Sequence, residues 1–127
     1  MDDCPDGRVS LWSAAMRFLY KILTGADWRD AMAKGAFEGS AADRRDGFIH
    51  LSAAHQLRGT ASRHFAGQEG LVLVGFAEAD LEGLKWEPSR GGDLFPHVYG
   101  AIPTRLAAAV HPLPLEEGTH RFPPGVA

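Results

Sequence analysis

The run Leu71-Val72-Leu73-Val74-Gly75-Phe76 carries no polar side chain on either of its alternating faces. Successive side chains of a strand point to opposite sides, so such a run belongs in the middle of a sheet that is covered on both faces. It is read as the core strand. A chain of 127 residues with 45% hydrophobic content can bury one core of this kind and not two, which predicts a single domain.

The segments on either side follow from local pattern. Phe18-Leu19-Tyr20-Lys21-Ile22-Leu23 reads as a first strand ending at Thr24 and Gly25. A helix follows, with Asp27 as its cap, Trp28, Ala31 and Met32 on its inner stripe and Gly35 as its stop. Residues 37–46 are small and polar and read as a loop within reach of a ligand. Ser52 is placed as the cap of a second helix whose buried stripe is Ala54, Leu57, Ala61 and Phe65, with Gly67 ending it. Leu106 to Val110 is a last apolar strand. Residues 1–16 are expected to be a mobile extension, with Met16 a candidate start, and 116–127 a loosely ordered tail around a domain at 17–115. There is no internal repeat.

Two segments carry polar chemistry. In Gly47-Phe48-Ile49-His50-Leu51-Ser52 the alternation puts Phe48, His50 and Ser52 on one face and Ile49 and Leu51 on the other. The apolar pair can enter the core while His50 and Ser52 face a groove. The second segment runs from Trp86 to Gly100 and collects Glu87, Arg90, Gly91, Gly92, Asp93, Phe95, His97 and Tyr99. Two prolines and two glycines exclude a regular helix there, and His97 and Tyr99 fall on one face of a strand from His97 to Ile102. His50 and His97 are the acid, base or ligand-orienting candidates, against the alternative that each is a satisfied structural histidine. Arg90-Gly91-Gly92 offers backbone N–H groups beside a guanidinium, suited to a phosphate or carboxylate; the alternative is a turn in which Arg90 pairs with Glu87 or Asp93. Trp86, Phe95 and Tyr99 could stack on a ring or belong to the core.

Several classes are disfavoured. A net charge of -3 provides no basic footprint for duplex DNA or an anionic membrane. The single cysteine, Cys4, excludes an internal disulfide framework and fits a reducing cytoplasm. No apolar run approaches the ~20 residues that span a bilayer, and no basic-then-apolar leader is present. No His-x-x-x-His ligand spacing, nucleophile elbow, Walker loop or dinucleotide fingerprint occurs, so no metal is expected, although His50, Glu87 and His97 could converge in space.

Leu19-Tyr20-Lys21-Ile22, Asp27-Trp28, Gly47 to Ser52, Gln56, Trp86-Glu87 and Phe95-Pro96-His97-Val98-Tyr99-Gly100 together resemble family number 952 among the domains of unknown function, over about Phe18 to Pro112. More distantly, Leu19-Tyr20-Lys21 resembles the Leu-Tyr-His strand of ADP-ribosyltransferases, with Lys21 in place of their histidine, and Ile49-His50-Leu51-Ser52 resembles the Val-His-Leu-Ser strand of RNA 2'-phosphotransferases that use NAD. The resemblance implies an α+β domain with a bent, split β-sheet and two main helices holding NAD in a central cleft. It places Tyr20 and Lys21 on the first strand of that cleft, and His50 and Ser52 on the strand leading into the second helix.

The resemblance further implies a nucleotide-binding protein with NAD or ADP-ribose as ligand, expected to transfer or hydrolyse ADP-ribose. In that reading His50, Glu87 and His97 carry the chemistry, with Glu87 supporting developing positive charge, while Tyr20, Lys21, Ser52, Arg90 and Tyr99 hold the nucleotide. The competing reading is a non-catalytic module for a small anionic metabolite or a partner protein, and a third is a metal-dependent hydrolase.

Overall fold

The computed structural model describes residues 17–126, without the side chain of Arg90. The expectations for Cys4, Met16 and the extension 1–16 lie outside the described residues.

The predicted core strand is β5 (Leu71–Ala77). It pairs antiparallel along its length with β1 (Phe18–Thr24) and, on its other side, with β9 (Ala107–Leu113); β4 (Ser52–Ala53) lies beyond β1. With partners on both edges, β5 also sits between two cores. Val74 and Phe76 enter one with Leu19, Trp28, Ile49 and Val98. Leu71 and Leu73 enter the other with Ile22, Leu57, Ala61 and Leu113. This is why neither face of the run has a polar side chain.

Helix α1 (Gly25–Lys34) buries Trp28 and Ala31 and stops at Gly35, whose φ of +86° suits glycine. Its cap is Thr24, whose hydroxyl accepts the Asp27 N–H at 3.0 Å. Asp27 lies instead in the first turn, where its charge opposes the helix dipole favourably. Met32 is 57% exposed, one position off the buried stripe.

The stretch read as a loop contains two short elements. β2 (Ala36–Phe37) pairs with β8 (Ile102–Pro103), and α2 (Ala41–Asp46) is opened by a capping box in which Ser40 and Asp43 exchange bonds. Small polar composition concealed a helix that its own cap specifies.

The segment read as one extended run from Gly47 to Ser52 divides between two sheets. β3 (Ile49–His50) pairs with β7 (Leu94–Val98), which pairs with β6 (Leu84–Pro88), whereas Ser52, two residues on, pairs with Tyr20 of β1. Leu51 makes the crossing, its N–H donating to the Pro96 carbonyl at 3.0 Å. Gln56 secures it. Its side-chain oxygen accepts the Ala53 N–H at 2.9 Å and its amide donates to the Leu94 carbonyl at 2.8 Å, joining the two sheets. Ser52 does not cap the second helix as expected: a 3-10 turn (Ala54–Gln56) precedes α3 (Leu57–His64), which starts without a side-chain cap.

The run from Trp86 to Pro96 is the β6–β7 hairpin, turned at Ser89 to Asp93. Its prolines and glycines mark that turn and its flanks. Beyond residue 115 the chain forms a small hairpin of β10 (Leu115–Glu116) and β11 (Thr119–His120), and Phe122 and Val126 pack on the second core. Among the described residues no helix is long and apolar enough to cross a membrane.

Candidate functional site: a histidine pair on the outer face of the β3–β7–β6 sheet

Ile49 and Val98 are opposite one another and both enter the first core, so the next pair in register, His50 and His97, projects from the other face. Their ring centroids are 5.5 Å apart at 71°. Phe48 stacks on His97 at 4.1 Å and lies 5.3 Å from the Tyr99 ring, which explains why His97 is only 5% exposed on an outward face. The two histidines, far apart in sequence, are thus neighbours.

β6 brings Glu87 to the same face. Its Oε1 lies 2.8 Å from His97 Nδ1 and accepts the Tyr99 hydroxyl at 2.8 Å. The bonds from His97 and then Tyr99 hold the Glu87 carboxyl below its usual value, and the same bond to Glu87 raises the Tyr99 phenol. Tyr99 lies just past the end of β7, and its position is fixed by Gly83. The Tyr99 N–H donates to the Gly83 carbonyl at 2.9 Å, and a Cβ on Gly83, at φ +74°, would come within 2.5 Å of the Tyr99 carbonyl oxygen. Lys85 places its ammonium 5.3 Å from the Tyr99 ring centroid.

His50 is held from the other side by α2. Asp43 Oδ1 lies 2.6 Å from His50 Nδ1 and accepts the His50 backbone N–H at 3.1 Å, while Asp46 Oδ2 lies 3.0 Å from Nε2. Asp43 is 2% exposed and also receives the Lys21 ammonium, at 3.0 Å on Oδ1 and 2.9 Å on Oδ2, and the Ser40 N–H at 2.9 Å. Burial alone would raise its carboxyl, but the His50 bond, the Lys21 charge and the Ser40 N–H outweigh that and hold it far below the usual range. Lys21 completes the node by donating to the His50 carbonyl at 2.9 Å. Burial lowers its ammonium and Asp43 opposes the shift.

The structure therefore brings together His50, His97, Glu87 and Tyr99, and separates them from Tyr20 and Ser52. Lys21 is inside the wall beneath His50. Tyr20 points to the opposite face of β1, beside the second core, and burial raises its phenol. Ser52 is buried on the four-stranded sheet with its hydroxyl 3.0 Å from that of Thr60. Alternation failed here because the crossing at Leu51 separates Ser52 from His50. The Arg90 side chain lies outside what is described. Asp43 and Asp46 were missed altogether. Ser40-x-x-Asp43 before Arg44 and Arg45 is the capping signal that would have placed them on a helix ending at the His50 strand. An open groove of about 450 Å³ borders Phe48, lined by Arg44, Gly47, Val98, Gly100 and Ala101. Among the described residues no group of three or more acidic, histidine or cysteine side chains is arranged to hold a metal ion.

Fold and site together define a small mixed α/β domain of several antiparallel sheets with a carboxylate-backed histidine pair on one outer face. The family described as "Protein of unknown function (DUF952)" matches residues 22–110, and the chain belongs to it. The crystal structure of protein CC0527 from Caulobacter crescentus is similar, with 47% identity and a TM-score of 0.78 over 82% of this chain and 93% of that one. The solution structure of CC0527 gives 46% identity and a TM-score of 0.73 over 81% and 90%. No curated protein matches the chain.

Proposed function

We propose that this protein binds a nucleotide of the NAD or ADP-ribose class on the His50–His97 face. The observation that carries the reading is the register of β3 on β7, which sets two histidines 5.5 Å apart with an aromatic ring stacked on one of them. Phe48 and Tyr99 offer apolar surface for a planar ring. Glu87, with one oxygen engaged by His97 and Tyr99, is the carboxylate available to a ribose hydroxyl or to positive charge developing at a ribosyl carbon. The resemblance of the first strand and of Ile49 to Ser52 to enzymes that use NAD supports the choice of nucleotide.

A second reading, a binding module without turnover, is favoured by a separate observation. Of three residues to which the resemblance assigns the nucleotide, Tyr20 and Ser52 are engaged in the fold away from the histidine pair, and Lys21 is buried beneath it on Asp43 and the His50 carbonyl. Ligand-observed NMR with NAD, ADP-ribose and nicotinamide tests the binding reading. Saturation transfer to NAD or ADP-ribose that disappears in His97→Ala is the expected result, and absence of contact with all three removes the nucleotide. Release of nicotinamide by the wild type and its loss in Glu87→Gln would then separate an enzyme from a module.

A further inference from the structure

The β3–β7 ladder stops early, and the stop leaves a groove. Beyond the Ile49–Val98 pair the next partners in register would be Phe48 with Tyr99 and Gly47 with Gly100. They are drawn apart from both sides. The Gly47 and Phe48 N–H groups turn back to the Asp43 carbonyl at 2.8 and 3.2 Å, closing α2, and the Tyr99 N–H turns to the Gly83 carbonyl at 2.9 Å. Gly47 at φ +90° and Gly100 at φ +121° take the bend, and a Cβ on either would meet no atom within 4 Å. The gap is the open groove of about 450 Å³ beside Phe48, the size of a small-molecule site. Its charges do not cancel. Of the three charged residues in its wall, Asp43 holds the Lys21 ammonium and Glu38 lies 3.7 Å from that of Lys34, whereas the Arg44 guanidinium has no partner among the described residues. The backbone N–H groups of Gly100 and Ala101, also in the wall, are likewise bonded to no described group. The turn that carries Arg90 lies at the far end of β7.

We propose that this splayed end of the ladder is an anion subsite, in which the Arg44 guanidinium and the Gly100 and Ala101 N–H groups receive the diphosphate of the nucleotide. The assignment deepens the nucleotide reading and rests on it for the ligand. A guanidinium supplies charge and a fork of donors that matches phosphate oxygens, and the two N–H groups add donors already fixed by the fold. Phe48 joins the two halves of the site. Its ring borders the groove and also lies 4.1 Å from the His97 ring and 4.7 Å from that of His50, so a diphosphate at Arg44 leaves the attached ribose and ring at Phe48 and the histidine pair. The neighbouring Arg45 has no such role, since it pairs with Asp46 at 3.2 Å and is not in the wall.

The test is the amide NMR spectrum of the full chain titrated with ADP-ribose, inorganic pyrophosphate and adenosine. ADP-ribose and pyrophosphate are expected to shift the Gly100 and Ala101 amides, and Arg44→Gln to weaken both ligands by roughly tenfold or more, the loss of one charge-assisted contact. Arg44→Lys should recover part of that loss, and Arg45→Gln should leave both affinities unchanged. Adenosine, which carries no charge, should be indifferent to Arg44→Gln. Arg44 and Arg45 are exposed, so these variants should fold as the wild type does. Gly100 and Ala101 amides unmoved by either anion, or equal losses from Arg44→Gln and Arg45→Gln, overturn the proposal. If pyrophosphate binds through Arg44 and ADP-ribose does not bind, the anion subsite stands and the nucleotide reading falls; if ADP-ribose shifts the histidine pair alone, the nucleotide reading stands and the subsite falls.

Discussion

Asp43 and Glu87 perform the same local task in different surroundings. Each holds the Nδ1 of one of two adjacent histidines and each takes a second donor, Lys21 for Asp43 and Tyr99 for Glu87. Asp43 is 2% exposed, whereas the Glu87 side chain is 34% exposed. Burial decides what each bond is worth. In a water-poor wall an ionised group must be compensated by its partners, so losing one partner leaves an uncompensated charge, while at an open surface water replaces the missing bond. The Asp43 node is thus part of what holds α2, β1 and β3 together, and the Glu87 node lies where water can replace its bonds.

The largest effect expected from this contrast is on stability. Asp43→Asn keeps the shape and leaves the Lys21 ammonium without its counter-ion, a change that costs about 3–5 kcal/mol for buried pairs. Lys21→Met costs less, roughly 1–3 kcal/mol, because Asp43 keeps the Ser40 N–H and both His50 bonds. The double variant should be less destabilised than the sum, since the two residues act on each other. Urea unfolding of the three proteins measures this. Losses below about 1 kcal/mol for both single variants would mean that the node is solvated in solution and that burial does not distinguish it from Glu87.

A smaller effect sharpens the same comparison through pH. The folded Asp43 carboxyl titrates below the value near 3.9 of an unfolded aspartate, so in acid the unfolded chain binds the proton first. Its contribution is therefore complete above about pH 4 and is lost as pH falls further. Wild-type urea midpoints should drop between about pH 4 and 2 more steeply than those of Asp43→Asn. Parallel curves would show that other carboxylates govern acid unfolding.

The facing of each histidine was legible because it depends on nearest neighbours in a strand, whereas their pairing was not, because it is set by the register of β3 on β7, two strands far apart in sequence. Alternation placed His97 opposite in sense to Val98 and His50 opposite to Ile49, and apolar Ile49 and Val98 fixed which face was inward. The core strand β5 and the glycine stop of α1 were legible for the same local reason. Ser52 was not, because the change of sheet at Leu51 is set by Gln56 reaching Leu94, a contact between residues 38 positions apart that no window of sequence displays. The β6–β7 hairpin was hidden by its own punctuation. Two prolines and two glycines mark a break in helix equally well whether the flanks pair or not, and it is the pairing of Glu87 with Phe95 and Lys85 with His97 that gives Glu87 its place. Lys21 was placed in a cleft by the resemblance of its strand, and its buried partner Asp43 lay in a segment taken for a loop.

The smallest effect belongs to the exposed node and is spectroscopic. Glu87 raises the Tyr99 phenol by holding its proton, and burial adds to the shift. Followed by ultraviolet absorbance against pH, Tyr99 should ionise above an ordinary tyrosine in the wild type and move down toward one in Glu87→Ala. Tyr20, also raised but by burial alone, serves as the internal reference and should not respond to that substitution. The thermal midpoint of Glu87→Ala should stay with the wild type, in contrast to Asp43→Asn, because water takes over at the exposed oxygen. If Glu87→Ala instead unfolded the domain, the Glu87 bonds would be structural ones like those of Asp43. The division between a buried node that holds the wall together and an exposed one that water can replace would then have no basis.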